Sequence, residues 1–141
     1  MLKKLLIASD HAGFKLKTQL KVILEKKFRV KDLGPYDKRS IDYPDLALKL
    51  SSKISKNKSL FGILICGSGM GMAMAANTVK NVRAALCYSA KNTKLSRLHN
   101  NANIITLGSR LTSKKKAIQL INLFLSTKFD GGRHLRRIKK F

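Results

Sequence analysis

The amino-acid sequence predicts an α/β fold: a single three-layer α/β/α domain over residues 1–141, with a doubly wound, five-stranded parallel sheet. Three observations support this prediction. Short apolar runs typical of buried strands alternate with segments whose apolar residues recur at helical spacing. The connections between them are short, which favours βαβ units. A length of 141 residues and a hydrophobic fraction of 44% suit one domain with a substantial core.

The first half of the chain contains two strands and two helices. Residues 5–8 are uniformly apolar and predict a buried strand. Residues 14–27 carry apolar side chains at the i, i+4, i+7 and i+8 positions of a helix. Apolar positions within residues 28–33 predict the second strand, which a Gly-Pro turn ends. Pro44 suits the first turn of a second helix that opens at residues 42–45.

The second half repeats this alternation and ends in a basic segment. The predicted order is a strand at 60–65, a helix through 73–77, a strand at 82–87, a helix at 90–98, a strand at 103–107 and a helix at 113–125. A basic tail follows from about residue 130 and is predicted to complete the site. These elements predict a Rossmann-like sheet, which binds its ligand at the carboxyl ends of the strands where the strand order reverses.

Cys66 ends the third predicted strand, and the turn that follows has glycine at alternate positions of residues 67–71. Glycines allow backbone N–H groups to converge, and the next helix adds unpaired N–H groups. Such a turn binds an anion, either a phosphate or a developing oxyanion. Because strands one and three end at the same edge, we expect Asp10 and His11 beside this turn. Asp10 also fits a cap for the helix that begins near Gly13.

The spacing of the turn does not match three common motifs. A dinucleotide-binding fingerprint needs glycine at the position of Met72, and a cysteine-phosphatase loop needs arginine there. The Gly-Lys-Ser/Thr of a Walker loop is absent from the turn. Taken alone, the turn fits either an anion site or a tight turn with a buried structural cysteine.

The chain is strongly basic, with 30 Lys and Arg against 7 Asp and Glu and a formal net charge of +23. Such a charge attracts polyanions, so a nucleic-acid-binding module is an alternative function. However, lysines occur in nearly every segment and are not interleaved with aromatic residues. This distribution favours solvated faces, and we expect no specific nucleic-acid partner.

The two cysteines, Cys66 and Cys87, provide no disulfide framework and indicate a reducing cytoplasm. A thiol redox protein is a further alternative, although Cys66 has no resolving cysteine nearby in the sequence. No apolar run approaches the roughly 20 residues of a membrane span, so no membrane partner is expected. No Cys/His spacing resembles a zinc site, so no metal is expected.

Several ionisable side chains suit acid–base chemistry or phosphate binding. As a thiolate, Cys66 acts as a nucleophile or a base, and His99 moves a proton near neutral pH. Arg133 and Arg137 share a face if the tail is helical, and with Arg110 they suit a phosphate. His99 also fits a plain surface position, and the tail also fits a solvated charge run.

Six sequence blocks occur along the chain and cover nearly all of it. They are Ser9-Asp10-His11-Ala12-Gly13, Asp42-Tyr43-Pro44, Ile65-Cys66-Gly67-Ser68-Gly69-Met70-Gly71 with Ala75-Ala76-Asn77, Leu95-Ser96-Arg97-Leu98-His99-Asn100, Leu107-Gly108-Ser109-Arg110, and Gly131-Gly132-Arg133-His134 with Arg137. In this order the blocks resemble the family of type B ribose-5-phosphate isomerases. Galactose-6-phosphate isomerase subunits are close relatives of that family.

The resemblance implies a cofactor-free aldose–ketose isomerase of the pentose phosphate pathway. Such an enzyme interconverts D-ribose 5-phosphate and D-ribulose 5-phosphate through an enediolate. The resemblance also implies a homodimer or homotetramer whose sites are shared between chains. Because the relatives include hexose phosphate isomerases, galactose 6-phosphate or allose 6-phosphate is the alternative type of substrate.

The resemblance further implies a role for each candidate residue. Cys66 is the base that carries the proton between C1 and C2, and Ser68 helps to move a proton on the substrate oxygens. His99, assisted by Asp10, opens the furanose ring. One branch of the family uses a glutamate where this chain has Met72, which leaves Cys66 as the base. By the same resemblance, the substrate-binding residues include Asp10 and, in the pocket wall, Tyr43. The enediolate oxygen is held by the backbone N–H groups of Gly67, Ser68, Gly69, Met70 and Gly71. The phosphate is bound by His11, Arg133 and Arg137, and further contacts come from Asn100 and Arg110.

Overall fold

The computed structural model describes residues 2–141, which form a five-stranded parallel sheet with helices on both faces. This confirms the predicted fold class. Within residues 2–141, no helix has both the length and the apolar character that a membrane crossing requires. The elements in chain order are β1 (Lys4–Ser9), α1 (Phe14–Leu24), β2 (Arg29–Asp32), α2 (Tyr43–Lys56), β3 (Leu60–Cys66), α3 (Met70–Ala76), β4 (Ala84–Leu86), α4 (Ala90–Leu98), β5 (Ile104–Gly108), α5 (Lys114–Ser126) and α6 (Arg133–Ile138).

The strand order is β2-β1-β3-β5-β4, and all neighbouring strands are parallel. The chain moves from β1 outward to β2 and then crosses back to β3, so the strand order reverses between β1 and β3. It reverses again because β5 inserts between β3 and β4. Right-handed crossovers in opposite directions put their helices on opposite faces. Accordingly, α1, α4 and α5 pack on one face, and α2 and α3 pack on the other.

The central strand β3 separates two apolar cores. Ile63 and Ile65 belong to the core beneath α1 and α5, whereas Leu64 and Cys66 belong to the core beneath α2 and α3. The last five residues of β3 are all buried, which explains the continuous apolar run in the sequence. The sheet therefore holds the carboxyl end of β3, and with it Cys66, in a rigid position.

The predicted bounds were wrong by two or more residues at α3, α1 and β4. Helix α3 already begins at Met70, ahead of the predicted residue 73. Helix α1 ends at Leu24, earlier than the predicted residue 27, because the Lys26 N–H donates to the Ile23 carbonyl in a tighter turn. Strand β4 covers only Ala84–Leu86, because the Val82 N–H still closes a turn that leads into it. At α1 and β4 an apolar pattern continues past the hydrogen-bonded element.

A buried ion pair ties α1 to β2. Lys17 is only 1% exposed, and its Nζ lies 2.8 and 2.9 Å from the two carboxylate oxygens of Asp32. The same Nζ donates to the Pro35 carbonyl at 2.5 Å. One Asp32 oxygen accepts from the Gly34 N–H at 2.8 Å, and the Gly34 carbonyl accepts from the Ser9 N–H at 3.1 Å. This network fixes the loop beside the end of β1.

We expect Asp32→Asn to lower the free energy of unfolding by about 3 kcal/mol, because it leaves the buried Lys17 ammonium without its counter-charge. Asparagine keeps an oxygen for the Gly34 N–H, so the change isolates the lost charge. Urea denaturation measures the effect. The matched control, Lys17→Met with Asp32→Asn, removes both charges and should recover part of the loss. Unchanged stability of Asp32→Asn would contradict this role of the ion pair.

Candidate active site

The carboxyl ends of β1, β3 and β5 form one edge of the sheet, the carboxyl edge, where the following loops interlock. The Asp10 N–H donates to the Ile65 carbonyl at 3.1 Å, which joins the loop after β1 to the end of β3. Two N–H groups of the loop after β5 donate to the carbonyls of Cys66 and Gly67, at 2.8 and 3.0 Å. The structure thus places Asp10 beside the turn after Cys66, as the sequence predicted, and adds the loop after β5.

Cys66 is almost fully buried, at 4% exposure, and its sulfur accepts a hydrogen bond from the Gly69 N–H at 3.1 Å. Gly69 has a φ of +79°, and a Cβ atom there would lie 2.9 Å from the carbonyl carbon of Leu107. The hydroxyl of Thr106 donates to the Gly69 carbonyl at 2.9 Å. Strand β5 therefore packs against the turn and fixes its conformation, and the turn directs the Gly69 N–H at the sulfur.

Two other glycines of the turn lie directly under side chains. A Cβ atom on Gly67 would lie 2.6 Å from Nη1 of Arg110, and one on Gly71 would lie 2.6 Å from Cζ of Tyr43. Arg110 and Tyr43 therefore occupy space that only glycine leaves free. The sequence explained these glycines by converging N–H groups alone. The close approach of a cation and a phenol is a second reason, which only the structure reveals.

Hydrogen bonds within the chain orient three further candidates. The Ser68 hydroxyl accepts from the Met70 N–H at 3.2 Å. A carboxylate oxygen of the buried Asp10 accepts from the Gly13 N–H at 3.0 Å, so Asp10 also stabilises the turn before α1. Nδ1 of His11 accepts from a backbone N–H of the loop before α2 at 3.2 Å. In the neutral ring this leaves Nε2 of His11 as the donor.

Four other candidates lie at the opposite edge of the sheet, the amino edge. Helix α4 runs antiparallel to the strands, and the residues after it contact the chain just before β4, where Nε of Arg83 donates to the Asn100 carbonyl at 3.1 Å. Strand β3 has seven residues, so about 20 Å of strand separates the two edges. Within one chain these candidates do not join Cys66. They are His99, Asn100, Arg133 and Arg137.

The basic tail meets His99 through a pair of stacked rings. The imidazoles of His99 and His134 lie 4.2 Å apart between centroids and 14° from parallel. The Asp130 N–H donates to the Leu98 carbonyl at 3.0 Å, and two glycines with φ of +70° and +56° then lead into α6. Loss of solvent, followed by the positive charges of His99 and two arginines of α6, lowers the pKa of His134. The sequence assigned no role to Asp130 or His134, because their contact with His99 is purely tertiary.

The three side chains His99, Asp130 and His134 bring potential metal-ligand atoms within 4.8 Å of one another. The sequence predicted no metal site. Arg133 and Arg137 lie close enough to affect the His134 imidazole electrostatically. Their positive charges disfavour a cation at this cluster, so we assign no metal to it.

The two cysteines lie in different cores. Cys66 packs beneath α2 and α3, whereas Cys87 packs beneath α4 on the other face of the sheet and is 1% exposed. Burial raises the pKa of the Cys87 thiol. Because the sheet separates the two side chains, this arrangement does not support the thiol redox alternative.

A doubly wound parallel sheet with a buried cysteine and a glycine-rich turn at its switch point belongs to the class of α/β proteins that generally bind ligands at the carboxyl edge. The model of the Ribose/Galactose Isomerase family matches residues 5–141, and the chain belongs to this family. Over 137 residues it is 48% identical to the probable ribose-5-phosphate isomerase B of Mycoplasma genitalium. That match covers 95% of this chain and 90% of the relative.

Solved structures of related proteins agree with this assignment. The ribose 5-phosphate isomerase of Thermotoga maritima is 50% identical, with a TM-score of 0.94 over 97% of this chain and 95% of that one. The ribose-5-phosphate isomerase B of Mycoplasma genitalium with bound ribulose-5-phosphate is 46% identical, with a TM-score of 0.92 over 97% and 92% of the two chains. The similarity therefore extends over nearly the whole fold.

We expect the native protein to form no disulfide between Cys66 and Cys87 when it is treated with diamide, because the sheet lies between the two thiols. Intact-mass measurement checks this through the loss of two hydrogens. The same chain unfolded in urea is the control and should form the bond. Rapid formation of the disulfide in the native protein would contradict the observed packing.

Proposed function

We propose that the chain is an aldose–ketose isomerase that interconverts D-ribose 5-phosphate and D-ribulose 5-phosphate. The observation that carries this proposal is the position of Cys66 at the end of the central strand, with a backbone N–H of the glycine-rich turn directed at its sulfur. Membership of the Ribose/Galactose Isomerase family supports it. So does the close structural similarity to a relative whose structure contains ribulose-5-phosphate.

The reaction moves one proton between adjacent carbons, so a single base that reaches both is sufficient. In the aldose-to-ketose direction, the Cys66 thiolate removes the proton from C2, and the electron pair forms the C1–C2 double bond of an enediolate with negative charge on O1. The proton then returns from the sulfur to C1, while Ser68 helps to transfer a proton between the two substrate oxygens. The thiolate is regenerated, and the carbonyl now lies at C2.

The enediolate needs hydrogen-bond donors where its negative charge develops. The backbone of residues 67–71 supplies N–H groups next to the sulfur, and the packing of this turn against β5 keeps them in place before substrate arrives. Loss of one such donor typically costs about 2.7–4 kcal/mol of transition-state stabilisation. A rigid turn is therefore as important to the reaction as the base itself.

The phosphate and the ring-opening step need the remaining side chains. On the carboxyl edge, His11 presents Nε2 and Arg110 presents a guanidinium, while Tyr43 covers Gly71. In our proposal His11 contacts the phosphate together with Arg133 and Arg137. Asp10 assists His99 in opening the furanose ring, and Asn100 provides a further contact.

A complete site requires a second copy of the chain, because His99 and the arginines of α6 lie across the sheet from Cys66. In a two-fold symmetric dimer, the amino-edge residues of one chain meet the carboxyl edge of its partner, and each dimer has two equivalent sites. We therefore propose a homodimer, alone or paired into a homotetramer. The cytoplasmic location remains a prediction from the cysteine content.

A phosphorylated hexose remains the second candidate substrate, because the matched family includes galactose isomerases. In our proposal Tyr43 and His99 line opposite sides of the sugar, so the distance between them limits the length of the sugar that the site accepts. The ratio of kcat/KM for ribose 5-phosphate to that for allose 6-phosphate or galactose 6-phosphate distinguishes the two candidates. The pentose is expected to be preferred.

We expect Cys66→Ala to lower kcat for ribose 5-phosphate by about a thousandfold, within the range of positioned acid–base groups. Cys87→Ala is the matched control, since it removes the other buried thiol from the opposite core and should leave kcat within about twofold of the native value. Both are assayed with EDTA present after circular dichroism has verified their fold. Equal activity of Cys66→Ala and the native protein would refute the assignment of the base.

We expect an equimolar mixture of Cys66→Ala and His99→Ala, unfolded and refolded together, to regain activity that neither variant has alone. Random pairing makes half of the dimers mixed, and one of the two sites in each mixed dimer is intact, so about a quarter of the native activity should return. Each variant refolded by itself is the control. If no activity returns although mixed dimers form, both residues act within one chain and the shared site is wrong.

A further inference from the structure

A cavity of about 600 Å³ opens at the amino edge, between the end of α2, the starts of β3 and β4, and α6. We call it the amino-edge pocket. Five basic side chains from four segments of the chain line it, and within residues 2–141 no Asp or Glu is among its lining residues. Its size is typical of sites for small organic ligands. The five are Lys58, Lys80, Arg83, Arg97 and Lys139.

Two of these cations lie close together without a counter-charge. Arg97 is 8% exposed, and burial followed by the charge of Arg83 lowers the pKa of its guanidinium. Within the part of the chain described, neither arginine forms an ion pair with a carboxylate. Two partly desolvated guanidiniums repel each other, and a bound anion would remove that repulsion.

The arginines are also oriented before any ligand binds. Arg97 donates from Nε to the Thr127 carbonyl at 3.1 Å and from Nη1 to the Ala102 carbonyl at 2.5 Å. Arg83 donates from Nε to the carbonyls of Asn100 and Asn101 at 3.1 and 3.0 Å. Among residues 2–141, no partner takes the terminal amino groups of Arg83, so its planar fork is available to a phosphate oxygen pair.

The same contacts connect the pocket to the proposed catalytic segment. Both guanidiniums hold carbonyls of residues 100–102, which directly follow His99. Asn101 within this segment has a φ of +46°, which is uncommon for a residue with a side chain. An anion held by Arg83 would therefore restrain the backbone beside His99.

We propose that the amino-edge pocket binds a small molecule that carries two or three phosphates, at a site separate from the sugar-phosphate site. Five cations exceed what a single phosphate needs, and the concave shape closed by α6 suits a small molecule better than a nucleic-acid strand. Phe61 and Leu135 give the pocket an apolar wall as well. The proposal does not depend on the isomerase reaction, because none of the residues that line this pocket is among the proposed catalytic or substrate-binding residues.

Calorimetric titration of the native oligomer with inorganic tripolyphosphate tests the site at an ionic strength of about 0.15 M, where exposed charges are screened beyond roughly 8 Å. Lys58→Gln/Lys80→Gln removes two pocket charges and should weaken binding at least tenfold. Lys26→Gln/Lys27→Gln is the matched control. Its lysines are exposed and outside the pocket, so equal loss of net charge should change Kd less than twofold. Neither pair belongs to the proposed catalytic machinery.

Three results would overturn the proposal: no binding by the native protein, equal weakening by both pairs, or displacement of tripolyphosphate by saturating ribose 5-phosphate. Equal weakening by both pairs would mean diffuse attraction to a basic surface. Displacement by ribose 5-phosphate would mean that tripolyphosphate binds at the catalytic site. The Cys66→Ala variant should bind tripolyphosphate as the native protein does, which separates this test from that of the isomerase. Tripolyphosphate should also slow hydrogen exchange at the Asn101 and Ala102 amides, and unchanged exchange would contradict the link to His99.

Discussion

The parallel register of β1, β3 and β5 is the constraint on which the site depends. It places Ile65 beside Ser9 and Cys66 beside Gly108, so three strands end together. Backbone hydrogen bonds then join the three loops, and Thr106 of β5 holds the turn after Cys66. Because the sheet is buried on both faces, this edge cannot shift without disturbing two cores. The proposed base and oxyanion site, which must be aligned with adjacent carbons, gain their rigidity from this arrangement.

The antiparallel relation between helices and strands explains why the proposed site is divided. A residue at the end of a strand lies at the carboxyl edge, whereas a residue at the end of the next helix lies at the amino edge. Cys66 and Asp10 belong to the first group, and His99 belongs to the second. A βαβ chain that uses both kinds of residue in one reaction has to bring two copies together. The proposed oligomer is therefore a consequence of topology.

The positively charged side chains have different roles in different parts of the structure. Many of the lysines are exposed and separate, and they help at most to attract anionic substrates. A few cations are held in defined surroundings: Lys17 is paired with Asp32, Arg110 packs on Gly67, and Arg97 is buried beside Arg83. Composition alone does not distinguish these groups, since each arginine or lysine contributes the same unit of charge.

The sequence by itself determined the fold class, most element positions and the turn after Cys66, because hydrophobic periodicity and glycine spacing are local properties of the chain. It also placed Asp10 at the right edge, since parallel strands end together. Only the tertiary structure decided that β5 lies between β3 and β4, that Arg110 and Tyr43 cover the glycines, and that Asp130 and His134 meet His99. These contacts join residues that are distant in sequence, and the free energy that selects them comes from packing the whole domain, so no short stretch of the chain carries their signature.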